Sequence, residues 1–132
     1  MILLTPSMRA RLLDNGRTPD ADHIPVVKFF NPFGQGTWLA TELDEDGDIL
    51  FGLADLGYPE LGSWSLSEMA AIRLPFGMGI ERDLHFEGLF PISVWAEAAR
   101  TEGSISAAEQ VLYARTQREG RAGLGRTGSG GL

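Results

Sequence analysis

The chain has 132 residues, 43% hydrophobic and 22% charged, which fits one globular domain with a single core and leaves no room for two substantial domains. It contains no cysteine, which excludes disulfides, thiolate metal sites and cysteine nucleophiles and makes a reducing cytoplasm the expected compartment. Residues 1–114 carry 7 Lys and Arg against 17 Asp and Glu, a net −10, whereas residues 115–132 carry 4 against 1, a net +3. A body this acidic, with one lysine, repels nucleic-acid phosphates, so nucleic-acid binding by the core is not expected.

In chain order, the apolar start at residues 1–4 is followed by Arg9, Arg11 and Asp14, so no signal-peptide hydrophobic region develops, and no run approaches the ~18 apolar residues of a membrane span. Thr5-Pro6 supplies a cap and a first-turn proline, and Met8, Leu12 and Leu13 recur at helical spacing; the pattern predicts a helix over 6–14, stopped by Asn15-Gly16. Residues 16–24 read as a loop. Pro25-Val26-Val27-Lys28-Phe29-Phe30 reads as a strand ended by Asn31-Pro32-Phe33-Gly34, and Thr37 to Leu43 is a mostly apolar strand suited to the middle of a sheet.

Asp46-Gly47 turns that strand into Ile49 to Ala54 as a tight hairpin, and Gly57-Tyr58-Pro59 precedes a further strand through Trp64. Ser65-x-x-Glu68 has capping-box spacing and opens a helix over 66–73, and Leu84 to Glu87 is expected to return as one more strand. Pro91 opens a helix with Ile92, Trp95 and Ala99 on one face, closed by Gly103. Ser106-x-x-Glu109 reads as a second capping box, starting a helix with Val111 and Leu112 inward that ends near Arg118.

The expected fold is α+β: an antiparallel sheet of about four or five strands with short helices packed on one side and at the ends. The expected organisation is a single domain over 1–118 followed by a flexible Gly/Arg-rich tail over 119–132.

No motif assigns a reaction. Gly123-x-Gly125-x-x-Gly128 matches the dinucleotide fingerprint as letters but lacks the strand before and the helix after that bring the amides to a pyrophosphate. Glu42, Asp44, Asp46 and Gly47 resemble the start of a calcium loop, yet Leu53 stands where a bidentate Glu is required. His23 and His85 have no zinc-type spacing, and no cofactor or metal is expected. Glu42, Glu60, Glu81 and Asp83 supply acid/base chemistry only if their strands bring them together, with His85 as a base if Glu81, Asp83 or Glu87 lies beside it. Among the aromatics, Trp64 and Phe33 become interface anchors if they are exposed beside those carboxylates.

The succession Val27-Lys28-Phe29-Phe30, Trp38-Leu39-Ala40-Thr41-Glu42, Phe51-Gly52-Leu53, Glu60-Leu61-Gly62-Ser63-Trp64 and Ile80-Glu81-Arg82-Asp83 resembles the bacterial family of unknown function DUF2958 over residues 1–90, with 91–118 as a helical extension. The resemblance implies a setting among plasmid, conjugation and other mobile-element genes, and no catalytic residues. Lys28, Glu42, Glu60, Trp64, Glu81, Arg82 and Asp83 are the candidate interaction residues, with Arg82 between two acids also readable as an ion-pair hub.

The sequence therefore favours a non-enzymatic cytoplasmic accessory protein that binds a protein partner through a sheet face or edge, an edge that also suits a homodimer. The alternatives are an acidic DNA mimic that blocks a host defence protein, and a small hydrolase or ligand-binding domain using the carboxylates and His85.

Overall fold

The computed structural model describes residues 2–130, with side chains up to residue 120. Five strands, β1 (Val27–Phe30), β2 (Thr37–Leu43), β3 (Ile49–Asp55), β4 (Pro59–Ser65) and β5 (Glu81–Arg82), form one antiparallel sheet in the order β4-β3-β2-β1-β5. Four helices accompany it: α1 (Pro6–Gly16), α2 (Leu66–Ala70), α3 (Ile92–Glu102) and α4 (Ile105–Gly130). The α+β class and the antiparallel sheet are as expected from the sequence.

Alternation sorts the strand side chains into two cores. Val27, Phe29, Trp38, Ala40 and Leu50 face α1 and α2, where Leu12 and Met69 complete the layer. Leu39 and Leu53 face the other way, under Trp95, Ala96 and Ala99 of α3 and Ile105, Ala108 and Leu112 of α4. The helices expected on one side thus correspond to the α3–α4 pair, while α1 covers part of the opposite face.

One residue sets which side chains β2 presents. Ala40 and Leu43 belong to the α1 core although an even spacing would separate them, because a bulge lies between Ala40 and Glu42. Thr41, fully buried at the bulge, donates from Oγ1 to Phe51 O at 3.2 Å, and Asn15 Nδ2 donates to Thr41 O at 2.9 Å. Glu42 therefore points to the α3 side, in register with Phe51.

Several local expectations change once the chain is folded. Helix α1 continues through Gly16 rather than stopping before it: a Cβ there would lie 2.4 Å from Leu43 O, so glycine lets the last turn rest on β2. The β2–β3 turn is wider than a two-residue hairpin: Asp44 N bonds Ile49 O, Gly47 N bonds Asp44 O, and Asp46 Oδ1 accepts from the amides of Asp48 and Ile49. The last strand is Glu81–Arg82, not Leu84 to Glu87, because Asp83 Oδ1 accepts the His85 amide and turns the chain away.

At α4 the cap is Ser104, whose Oγ accepts the Ala107 amide, and not Ser106. Glu109 is thereby released for a different contact. The inward row is Ile105, Ala108 and Leu112, and Val111 is 40% exposed rather than inward. The α4 backbone runs on to Gly130, beyond the expected end near Arg118; the tail expectation over 119–132 falls largely outside the residues whose side chains are described.

Candidate functional site

The sheet has two edges, and β4 is the longer, with seven residues against the two of β5. Leu66 N donates to Asp48 O, and in an antiparallel ladder bonded pairs alternate, so Glu60, Gly62 and Trp64 bond to β3 while the backbone N–H and C=O of Leu61 and Ser63 point outward. Glu60, Leu61 and Ser63 are exposed.

On the α3 side of this edge the row Ser63, Phe51 and Glu42 crosses three strands beyond the end of the helical cover. With Gly16, Pro19, Leu43, Asp44 and Ile49 it lines an open hollow of about 360 Å³. Its floor is apolar, from Phe51 and Ile49, and its charge is acidic, from Glu42 and Asp44. Burial raises the pKa of Glu42 above the ordinary glutamate range, His23 opposes that shift, and Asp20 adds to it.

The far end of β4 is fixed by Asp48. Its carboxylate accepts from Ser65 Oγ at 2.7 Å and from the Ser67 amide at 2.8 Å, and Ser65 Oγ accepts the Glu68 amide, as the capping-box spacing predicts. These bonds, the Ser65 hydroxyl first, hold the Asp48 pKa below the ordinary aspartate value.

A second polar centre lies at the opposite end of the sheet. Lys28 Nζ reaches Glu109 Oε1 of α4 at 2.9 Å and Asp83 Oδ2 at 3.5 Å, with only 12% of its side chain exposed. Tyr113 of α4 accepts the Glu87 amide, and its pKa is raised by burial first and then by Glu109, Glu87 and Asp83. Lys28, Phe30, Glu81, Asp83 and His85 line a shallow hollow of about 420 Å³ here.

The structure therefore brings Lys28, Glu81, Arg82 and Asp83 to one end and places Glu42, Glu60 and Trp64 toward the other. The four carboxylates do not converge: Glu60 on β4 and Glu81 on β5 lie four strand spacings apart, ~19 Å. Glu60 and Trp64 also face the α1 side, opposite to Glu42. Trp64 is half-buried against the α1 core, and its Nε1 is shielded.

Arg82 Nη1 donates to Ile2 O at 2.8 Å and ties the N-terminal segment to β5, and Lys28 pairs with two carboxylates. Asp83 contacts the backbone amide of His85, which positions the turn and not an imidazole. His23 Nε2 contacts Thr18 O at 2.8 Å. Phe33 is 48% exposed and meets Phe76, at 5.9 Å between ring centroids.

Sequence reasoning missed Ser63 and Leu61, which matter only because β4 is an edge, and Glu109 and Tyr113, which lie 81 and 26 residues from their partners.

A family model described as a protein of unknown function, DUF2958, matches residues 3–106. The chain belongs to this family. No curated protein and no solved structure matches it. The match reaches past residue 90 and takes in α3, so that helix is part of the family region and not an extension. In this DUF2958 protein the rest of α4, beyond the match, still supplies Ala108 and Leu112 to the core and Glu109 to Lys28. Among the described residues no helix is long and apolar enough to cross a membrane.

Proposed function

We propose that this protein is a small, non-enzymatic, cytoplasmic accessory module that binds a protein partner by strand addition at β4, in the mobile-element setting that the family resemblance implies. The observation that carries the reading is the outward backbone of Leu61 and Ser63 on an exposed strand at the sheet edge. An open edge is a template for another strand, and unprotected edges are uncommon because they invite association. The acidic body steers a basic partner toward it.

The decoy reading has less support. Glu60 lies at one edge, Glu81 and Asp83 at the other, and Glu42 on β2 between them with its side chain on the face opposite to that of Glu60, whereas phosphates of a duplex run in continuous rows. A second copy of the chain is the other occupant that an open edge admits, and light scattering across a concentration series distinguishes it from a foreign partner.

Ser63→Pro removes an outward N–H that β3 does not use, so the fold is retained while strand addition is blocked. Affinity capture from host-cell lysate with the native chain and this variant is the test. A partner retained by the native chain and lost by the variant supports the reading; identical capture by both, with equal melting temperatures, removes it.

A further inference from the structure

Beside the β4 edge, the hollow lined by Glu42, Asp44, Phe51 and Ser63 has a direction: Ser63 stands at the β4 edge, and its acidic end lies two strands inward, at Glu42 on β2 and Asp44 just beyond it. A strand added at β4 forms bonded pairs with Leu61 and Ser63, and its residues opposite those two project to the α3 side. Ser63 is small and leaves the row open. A long side chain opposite it lies with its stem over Ser63 and its end toward Phe51, facing the Glu42 and Asp44 carboxylates along the hollow. The residue two positions along, opposite Leu61, meets an aliphatic side chain that is 41% exposed.

We infer that the partner segment is an extended strand carrying an Arg or Lys opposite Ser63 and an apolar residue opposite Leu61, so that its cation enters the Glu42–Asp44 hollow. This rests on the strand-addition reading above and adds the chemistry of the occupant. Charge complementarity at a place defined by register selects this occupant. Both carboxylates line the hollow, and among the described residues no Lys or Arg does. Glu42 is the one whose ionised form burial disfavours, which a bound cation would relieve.

The register also makes the requirement periodic. A cation shifted by one residue along the added strand projects to the α1 side, beside Glu60 and Trp64, and leaves the hollow empty. The basic and apolar positions of the partner must therefore be two residues apart, whichever direction the added strand runs.

The test uses the full chain and three capped synthetic peptides of sequence Thr-Val-Thr-Xaa-Thr-Val-Thr, with Arg, Gln or Glu at Xaa. Their length matches the seven residues of β4. Affinities are read by fluorescence anisotropy at about 0.05 M and about 0.5 M salt, across which screening shortens sharply. The Arg peptide is expected to bind about fivefold tighter than the Gln peptide at low salt, a charge-assisted preference that narrows at high salt, and the Glu peptide weakest. In the Glu42→Gln/Asp44→Asn variant the Arg preference falls below about twofold while Gln-peptide binding is unchanged.

Equal binding of the Arg and Gln peptides by the native chain, abolished by Ser63→Pro, overturns the basic-strand inference and leaves strand addition standing. Binding of the Arg peptide that survives Ser63→Pro, or no binding by any of the three, overturns both.

Discussion

Lys28 shows how one side chain can join three segments. It rises from β1, meets Glu109 of α4 and Asp83 beyond β5, and is largely withdrawn from water. Removing one member of a buried ion pair leaves its partners uncompensated, so Lys28→Met is expected to cost about 2–3 kcal/mol in urea unfolding. Glu109→Gln alone should cost less because Asp83 remains, and a double-mutant cycle between positions 28 and 109 should give a coupling of about 1 kcal/mol or more. Asp55 is the other residue that ties distant segments: it is buried, and its two oxygens accept the amides of Gly57 and of Ile105 at the start of α4. Asp55→Ala leaves the buried Ile105 amide without that acceptor, and a loss of about 2–3 kcal/mol is expected by the same measurement. Neither partnership has a signature in sequence, since Lys28 and Glu109 stand 81 positions apart and Asp55 and Ile105 stand 50 apart.

The capping of α2 makes an element-scale pH dependence. Asp48 has a pKa below the ordinary 3.8, so the stability it gives is complete above that value and is lost as pH falls through the lowered one. Asp48→Asn should therefore flatten part of the fall in the urea midpoint as pH drops below about 4. Glu42 acts in the opposite sense: its pKa is raised, so its ionised form is disfavoured in the fold and its contribution to stability improves as pH falls through that raised value. Glu42→Gln should consequently raise the melting temperature at neutral pH, and a lower melting temperature would contradict the burial argument. Within the sheet, a Cβ at Gly52 would sit 1.8 Å from Leu39 O, so the β2–β3 pair closes only over glycine. Gly52→Ala is expected to cost about 3 kcal/mol by overpacking, read as a drop in thermal midpoint.

For the molecule as a whole, the net −10 of residues 1–114 makes the proposed strand-addition encounter with a basic partner one that electrostatics would steer. The association rate with a basic partner should fall steeply with salt while dissociation changes less, measurable by stopped flow. Charge, composition and the absence of cysteine were fully legible in the chain, and so were the alternating strands, the Thr5 and Ser65 caps and the Gly103 terminus of α3, because each depends on neighbours within a few residues. The positions of Lys28, Glu42, Glu60, Trp64, Glu81, Arg82 and Asp83 along the chain were equally legible. Their grouping was not: strand order puts three strands between β4 and β5, and the bulge at Thr41 decides which face Glu42 takes. Local patterning acts over a turn or a hairpin and can be read from adjacent letters. Edge exposure, the covering of both faces and the meeting of Glu109 with Lys28 arise from packing between distant segments, which only the tertiary structure decides.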